Sequence, residues 1–176
     1  MNDPDLINNK YQLHQAHLNA QKIFQQISLE YEKISGRKYS ALEVYGDDDA
    51  NAGVFLLNSA AETAKEIVDQ KNLTAAKVKL LRARMLRPFP SEEITLAAGS
   101  LKRLVIGERA DTAGSTAGPL SHEIKSCLMS SGHGKTEALC RVYGLGGKDF
   151  TEVDAESFFD LALSIKNEEA FAFLGT

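Results

Sequence analysis

The chain has 176 residues, 43% hydrophobic and 25% charged, with a net charge of −4 at pH 7. That is the profile of an ordinary soluble globular domain, long enough to bury a full core. The negative balance speaks against binding driven by nucleic-acid phosphates, and no apolar run approaches the roughly 20 residues that span a bilayer.

The opening stretch, Met1 to Tyr11, is polar and acidic, unlike a secretory signal, and lacks the arginines of a transit peptide. A cytoplasmic location is therefore expected. Residues 1–9 read as a disordered leader and 10–176 as one domain. From Lys10 to Ser35, Leu13, His17, Ala20, Phe24, Ile27 and Tyr31 recur at three- or four-residue steps, which predicts a long helix that Gly36 ends. Its length suggests packing across the domain or against a neighbour.

A short strand is expected over Ala41–Tyr45, followed by the solvated turn Asp47-Asp48-Asp49. No alternating Asp-x-Asp loop with a later Glu follows, so these carboxylates do not read as a calcium site. Ala52–Leu57 is a compact apolar strand. Ser59 and Glu62 have capping-box spacing and predict a helix running to about Lys71. A strand over Ala76–Met85, the rigid connector Pro88-Phe89-Pro90 and a short helix from Ser91 to about Gly99 come next. The remainder predicts a strand at Leu101–Gly107, a helix at Ala117–Ser131 and a strand at Ala138–Gly144. Thr151 and Asp154 form a second capping box opening a helix to about Ile165, and the last residues suggest one more helical turn.

This alternation predicts an α/β fold with three α/β/α layers, a mostly parallel sheet of about five strands and right-handed crossovers, preceded by the long helix. Ligands and partners of such sheets meet the carboxyl ends of the strands. The unusual residues collect at those ends: Asn58 and Ser59, then Arg84 and Arg87, then Glu108 and Arg109, then Gly144, Gly146 and Gly147. Three readings fit them: ordinary polar connectors, a rim that docks another domain, or a small-anion site. Seven basic residues (Lys77, Lys79, Arg82, Arg84, Arg87, Lys102, Arg103) also stand against only Glu92 and Glu93, as a mixed surface or as a face for an acidic partner.

Several motifs are decoys. Gly134-Lys135-Thr136 ends like a phosphate-binding loop, but the required earlier glycine is Met129, and a helix rather than a strand precedes it. Gly144-Leu145-Gly146-Gly147 lacks the later glycine of a dinucleotide fingerprint, where Asp149 stands. His14, His17, His122 and His133 form no ligand set. The two cysteines, Cys127 and Cys140, are too few for an iron–sulfur cluster and are expected as buried or half-buried apolar residues. No GxSxG elbow, Cys–His pair or Ser–His–Asp order has local support.

Three segments in order carry a family likeness: LLRARMLRPFP over Leu80–Pro90, LVIGERADTAGSTAGPL over Leu104–Leu120, and VYGLGGKD over Val142–Asp149. With Gly36-Arg37-Lys38-Tyr39, and Ser59 followed by Thr63-Ala64-Lys65-Glu66, this set resembles the second domain of pyruvate (or 2-oxoacid):ferredoxin oxidoreductases, which is similar to the carboxy-terminal domain of transketolase. The likeness runs from about Tyr11 to Leu161. Two positions depart from it: Ala110 follows the arginine of the third strand, and Ala117-Gly118-Pro119 replaces a Gly-Gly-Pro.

The resemblance implies a parent enzyme that decarboxylates pyruvate or a related 2-oxoacid with thiamine diphosphate and magnesium. It would pass electrons through iron–sulfur clusters to ferredoxin or flavodoxin and form an acyl-CoA. It also implies that those cofactors sit on other domains or subunits, because this chain has neither a Gly-Asp-Gly segment with a downstream Asn nor a four-cysteine run. The expected role is a non-catalytic structural and assembly domain with no cofactor of its own, its inter-domain contacts falling on Arg84, Arg87, Arg109, Gly144, Gly146 and Gly147. The alternative is a free-standing doubly wound module that binds a nucleotide or phosphate.

Overall fold

The structure, a computed structural model, describes residues 5–74, 76–132 and 134–175. The described residues form two compact units: 5–43 together with Ala83–Pro90, and Val44–Arg82 together with the described residues from Ser91 on.

The first unit is built on α1 (Asp5–Ser35), which starts ahead of the expected Lys10, so residues 5–9 are helical. Among the described residues of α1, Ser28 is the one buried residue. The segment after Gly36 is tied to the returning 83–90 strip, where the Arg84 and Met85 amides donate to the Ala41 carbonyl at 2.8 and 3.2 Å. The Tyr31 and Tyr39 rings lie 5.7 Å apart.

The strands are β1 (Leu42–Gly46), β2 (Ala52–Phe55), β3 (Val78–Ala83), β4 (Arg103–Glu108), β5 (Glu137–Val142) and β6 (Phe171–Phe173). Their order is β1-β3-β2-β4-β5-β6, and β2–β3, β2–β4, β4–β5 and β5–β6 all pair in parallel. The mostly parallel sheet matches the expectation, with β6 the addition: the final segment, expected as a helical turn, is a strand. Its Phe171-Ala172-Phe173 sequence suits a pleated edge better than a helix, and it pairs with Cys140–Val142.

Strands buried on both sides read as continuous apolar runs, and β2, β3 and β4 are buried throughout. On one face Val54, Leu56, Leu80, Val105 and Leu139 pack with α2 (Asn58–Leu73) and α5 (Glu152–Leu163). The small Ala60, Ala61 and Ala64 let α2 approach the sheet closely, and Phe158 and Phe159 of α5 fill the space beside them. Helices α3 (Ser91–Ala98) and α4 (Pro119–Ser130) complete the unit. Cys127 is half-buried and Cys140 buried, as their type predicts. Among the described residues, no helix is long and apolar enough to cross a membrane.

The two expected capping boxes part ways. Thr151 and Asp154 form theirs reciprocally at the start of α5. At α2 the helix begins at Asn58, so Ser59 already lies inside the first turn and no side chain caps it. Glu62 is instead drawn to the Arg82 guanidinium and to Lys65, 3.1 Å away. These partners, Arg82 first, hold the Glu62 carboxyl below its ordinary value.

Four of the seven residues of the basic run are likewise paired with carboxylates. Lys77 pairs with Asp49, Arg82 with Glu62, Arg84 with Glu43 and Arg103 with Glu137. Lys79, Arg82 and Arg103 are buried.

Arg103 does the most. Its Nε donates to Glu137 Oε2 at 2.7 Å, Nη1 to the Leu161 and Ser164 carbonyls at 3.0 and 2.6 Å, and Nη2 to the Lys166 carbonyl at 2.8 Å. It thereby satisfies carbonyls left open at the end of α5. Arg141 Nη1 donates to the Glu169 carbonyl at 2.8 Å, and the two arginines together lead the chain into β6.

Arg103→Met keeps bulk but strands those carbonyls. It should cost about 2–3 kcal/mol, lowering Tm by roughly 5–10 °C in a thermal melt. Because the folded-state pKa of Glu62 is depressed, its contribution is present above the unfolded carboxylate value of 4.5 and is lost as pH falls through the folded value. Glu62→Gln should flatten the acid side of a stability–pH curve and leave the alkaline side unchanged.

Candidate functional site: the strand-end rim

At the carboxyl ends of β4 and β5 the chain brings Glu108, Arg109, Tyr143 and Gly144 together. The Tyr143 amide donates to the Glu108 carbonyl at 2.8 Å, extending the parallel ladder by one step. Side chains of consecutive strand residues point to opposite faces, so Glu108 and Arg109 part company.

Glu108 is buried, 3% exposed, and turns onto the amino end of α4. Its Oε1 accepts from the Ser121 amide at 2.6 Å and its Oε2 from the Leu120 amide at 3.3 Å. Pro119, the first helical residue, has no N–H to satisfy, and the His122 amide already donates to the Gly118 carbonyl at 3.0 Å. The free amides and positive dipole end of a helix make a ready anion site. Here the protein fills that site with its own carboxylate. Any β-carbon on Gly118 would run into the Glu108 carboxylate, so the helix start and the carboxylate are fitted to each other.

Arg109 stays exposed, and its Nε donates to the Gly144 carbonyl at 3.2 Å. Gly144 has φ 65°, in the left-handed region that suits glycine. A β-carbon there would also sit 3.0 Å from Arg109 Nε and 3.2 Å from the Lys148 carbonyl. Gly146 and Gly147, at φ 67° and 82°, continue the same tight turn.

Beneath the turn Tyr143 packs on Phe150, ring centroids 4.7 Å apart, and on Phe158 at 6.1 Å. Burial raises the Tyr143 phenol above its ordinary value, with the Arg109 charge opposing. The phenol is thereby moved away from neutrality.

Of the residues expected at the rim, Arg109 and Gly144 meet directly, and Gly146 and Gly147 complete the same turn. Arg84 and Arg87 belong to the first unit. Arg84 Nη2 lies 2.9 Å from Glu43 Oε2, and its guanidinium sits over the Tyr39 ring, 4.8 Å from the centroid. Arg87 is exposed, donates to the Leu86 carbonyl, and precedes a cis peptide bond to Pro88. Asn58, at φ 51°, opens α2.

Sequence reasoning placed Glu108 at a strand end but not among the contact residues, and missed its role at the start of α4. The signal for it was a helix starting Gly118-Pro119 with no Ser, Thr, Asp or Asn of its own to cap it. Among the described residues, no group of three His, Cys, Asp or Glu could hold a metal. His133 lies outside the described residues.

The family model for pyruvate:ferredoxin oxidoreductase core domain II matches residues 50–155. The chain belongs to this family. It is 34% identical over 155 residues to pyruvate synthase subunit PorA of Thermotoga maritima, covering 88% of this chain and 39% of that protein. It is 29% identical over 132 residues to pyruvate-flavodoxin oxidoreductase of a Nostoc species, covering 74% of this chain and 33% of the relative. The chain thus spans well under half the length of these relatives.

Among solved structures, an inactive β4 tetramer of a split-gene transketolase superposes with TM-score 0.54 at 14% identity, over 75% of this chain and 46% of the other. A 2-oxoglutarate:ferredoxin oxidoreductase from Magnetococcus marinus does so with TM-score 0.50 at 18% identity, over 72% of this chain and 20% of the other. Both likenesses concern the fold.

The matched region of core domain II contains the whole rim just described, including Glu108, Arg109, Gly118 and the glycine turn. Gly118→Ala should push Glu108 off the α4 amides and cost about 1–3 kcal/mol, read as a lower midpoint in urea unfolding. Gly134→Ala, whose β-carbon would meet only the end of the flexible, exposed Met129 side chain, should cost less.

Proposed function

We propose that this core domain II chain is a non-catalytic positioning domain of a thiamine-diphosphate-dependent pyruvate (2-oxoacid):ferredoxin or flavodoxin oxidoreductase, acting in the cytoplasm. In this reading the parent enzyme makes an acyl-CoA and CO2. Thiamine diphosphate with magnesium, the iron–sulfur clusters and the CoA site belong to other domains or subunits. The donor set of this chain does not suit an iron–sulfur cluster. Two cysteines cannot supply the four ligands a cluster takes, so no reaction step is assigned to any residue here.

The observation that carries the reading is the self-filled amino end of α4. With Glu108 on its amides, the amino end of α4 already holds a negative charge where it could otherwise take a phosphate. What remains outward is Arg109 braced on a rigid glycine turn, a fixed cationic projection suited to a protein surface. Positioning of this kind affects turnover without a reacting group, because reacting parts misplaced by about 1 Å can lose about 100-fold in rate.

Calorimetric titration of the isolated chain with thiamine diphosphate, CoA and ATP should give no saturable heat. One tight, saturable ligand among them would replace this reading with that of a free-standing phosphate-binding module. Arg109→Ala should leave the chain folded, with stability changed by no more than about 0.5 kcal/mol. In the enzyme reconstituted from all its polypeptides, the same change should lower assembly or turnover. Unchanged assembly together with unchanged turnover would count against Arg109 as a contact.

A further inference from the structure

Helix α1 is apolar on two opposed sides. Each residue of an α-helix is turned about 100° from the last. Leu13, Ile23, Ile27 and Ile34 gather on one flank, and Ile7, Tyr11, Leu18 and Leu29 on the other, roughly 180° away. All of them are exposed. The ridge between the flanks is polar and exposed, with Gln15, Asn19, Gln26 and Lys33. On the side away from that ridge Ser28 is buried, and Phe24 and Glu32 are half-buried.

A helix that faces its own core carries one apolar stripe. Two opposed stripes, with the inward side already taken, need covering from both sides. A second copy that met α1 on one flank would leave the other in water.

The length of the relatives says what is available to cover them. The match to the Thermotoga PorA subunit runs over 155 residues and takes up 39% of that protein. Wherever it starts, a stretch of 155 residues in a chain of 176 includes residues 22–155. The second half of α1, with Ile23, Ile27, Leu29 and Ile34, is therefore shared with a subunit most of which lies outside the match. A single groove enclosing the helix would also bury the ridge, and stripping water from its amides and lysines is costly without partners. The polar ridge favours two covering surfaces over one groove.

We propose that α1 is a seam of the parent oxidoreductase, each apolar flank covered by apolar surface from the part of a PorA-type subunit that this chain does not span, with the polar ridge left in water. The seam rests on the reading that the chain works inside the larger enzyme, but it uses residues other than those of the strand-end rim.

Single cysteines at three neighbouring positions of α1 test it, each in a Cys127→Ser background and in the enzyme reconstituted from all its polypeptides. Ile27→Cys and Leu29→Cys lie on the two flanks and Gln26→Cys on the ridge. In the chain alone all three should react with a maleimide at similar rates. On assembly Ile27→Cys and Leu29→Cys should slow by at least about 10-fold while Gln26→Cys keeps its rate. In the unmodified chain, amide exchange along the second half of α1 should slow on assembly too. Protection of one flank alone, protection of the ridge as well, or unchanged exchange would overturn the seam. Flanks already protected in the chain alone, with sedimentation giving a dimer, would overturn it and assign α1 to a second copy. Assembly that Arg109→Ala weakens but that leaves both flanks reactive would overturn the seam and keep the rim as a docking surface. A chain that joins no assembly would overturn both.

Discussion

The contact between the Glu108 carboxylate and the first amides of α4 organises the functional end of this fold. A parallel sheet points helix amino ends at the place where its strands stop, and those ends attract anions. Placing the anion on the preceding strand converts a potential ligand site into a structural joint. The joint fixes the start of α4, requires glycine at 118, and by strand alternation sends Arg109 toward Gly144. The chemistry of the rim follows from where one negative charge was put.

Other charges in the core serve the same end. Arg103 and Arg141 are buried, yet each is spent on carbonyls of the chain between α5 and β6. Planar guanidinium groups suit this task because their several donors can reach carbonyls the helix end leaves open. The two buried arginines therefore tie the end of α5 to the start of β6.

Much of this was legible in the sequence. Continuous apolar runs at Ala52–Leu57 and Leu104–Ile106 pointed to strands of a two-sided parallel sheet. Thr151 with Asp154 marked the start of α5. The segments around Arg87-Pro88-Phe89-Pro90, Glu108-Arg109 and the 144–147 glycines carried the family likeness. What escaped were features set by distant partners. Ser59 and Glu62 have capping spacing, but Arg82 takes Glu62 and Asn58 starts the helix. Phe171–Phe173 is too short for periodicity to separate strand from helix, and the neighbouring β5 edge decides it. The seven basic residues looked like a patch because the carboxylates that pair with four of them, Glu43, Asp49, Glu62 and Glu137, mostly lie far off in sequence. Glu108 was visible only as half of a Glu-Arg pair, its role hidden until α4 was placed against it.

The central claim is that the rim from Arg109 to Gly118 and from Gly144 to Lys148 is a protein-docking surface with no reacting group. Amide hydrogen exchange, compared between the isolated chain and the reconstituted enzyme, tests it most directly. The account predicts slowed exchange concentrated in those two segments on assembly. Unchanged exchange there in a fully assembled, active enzyme would contradict it.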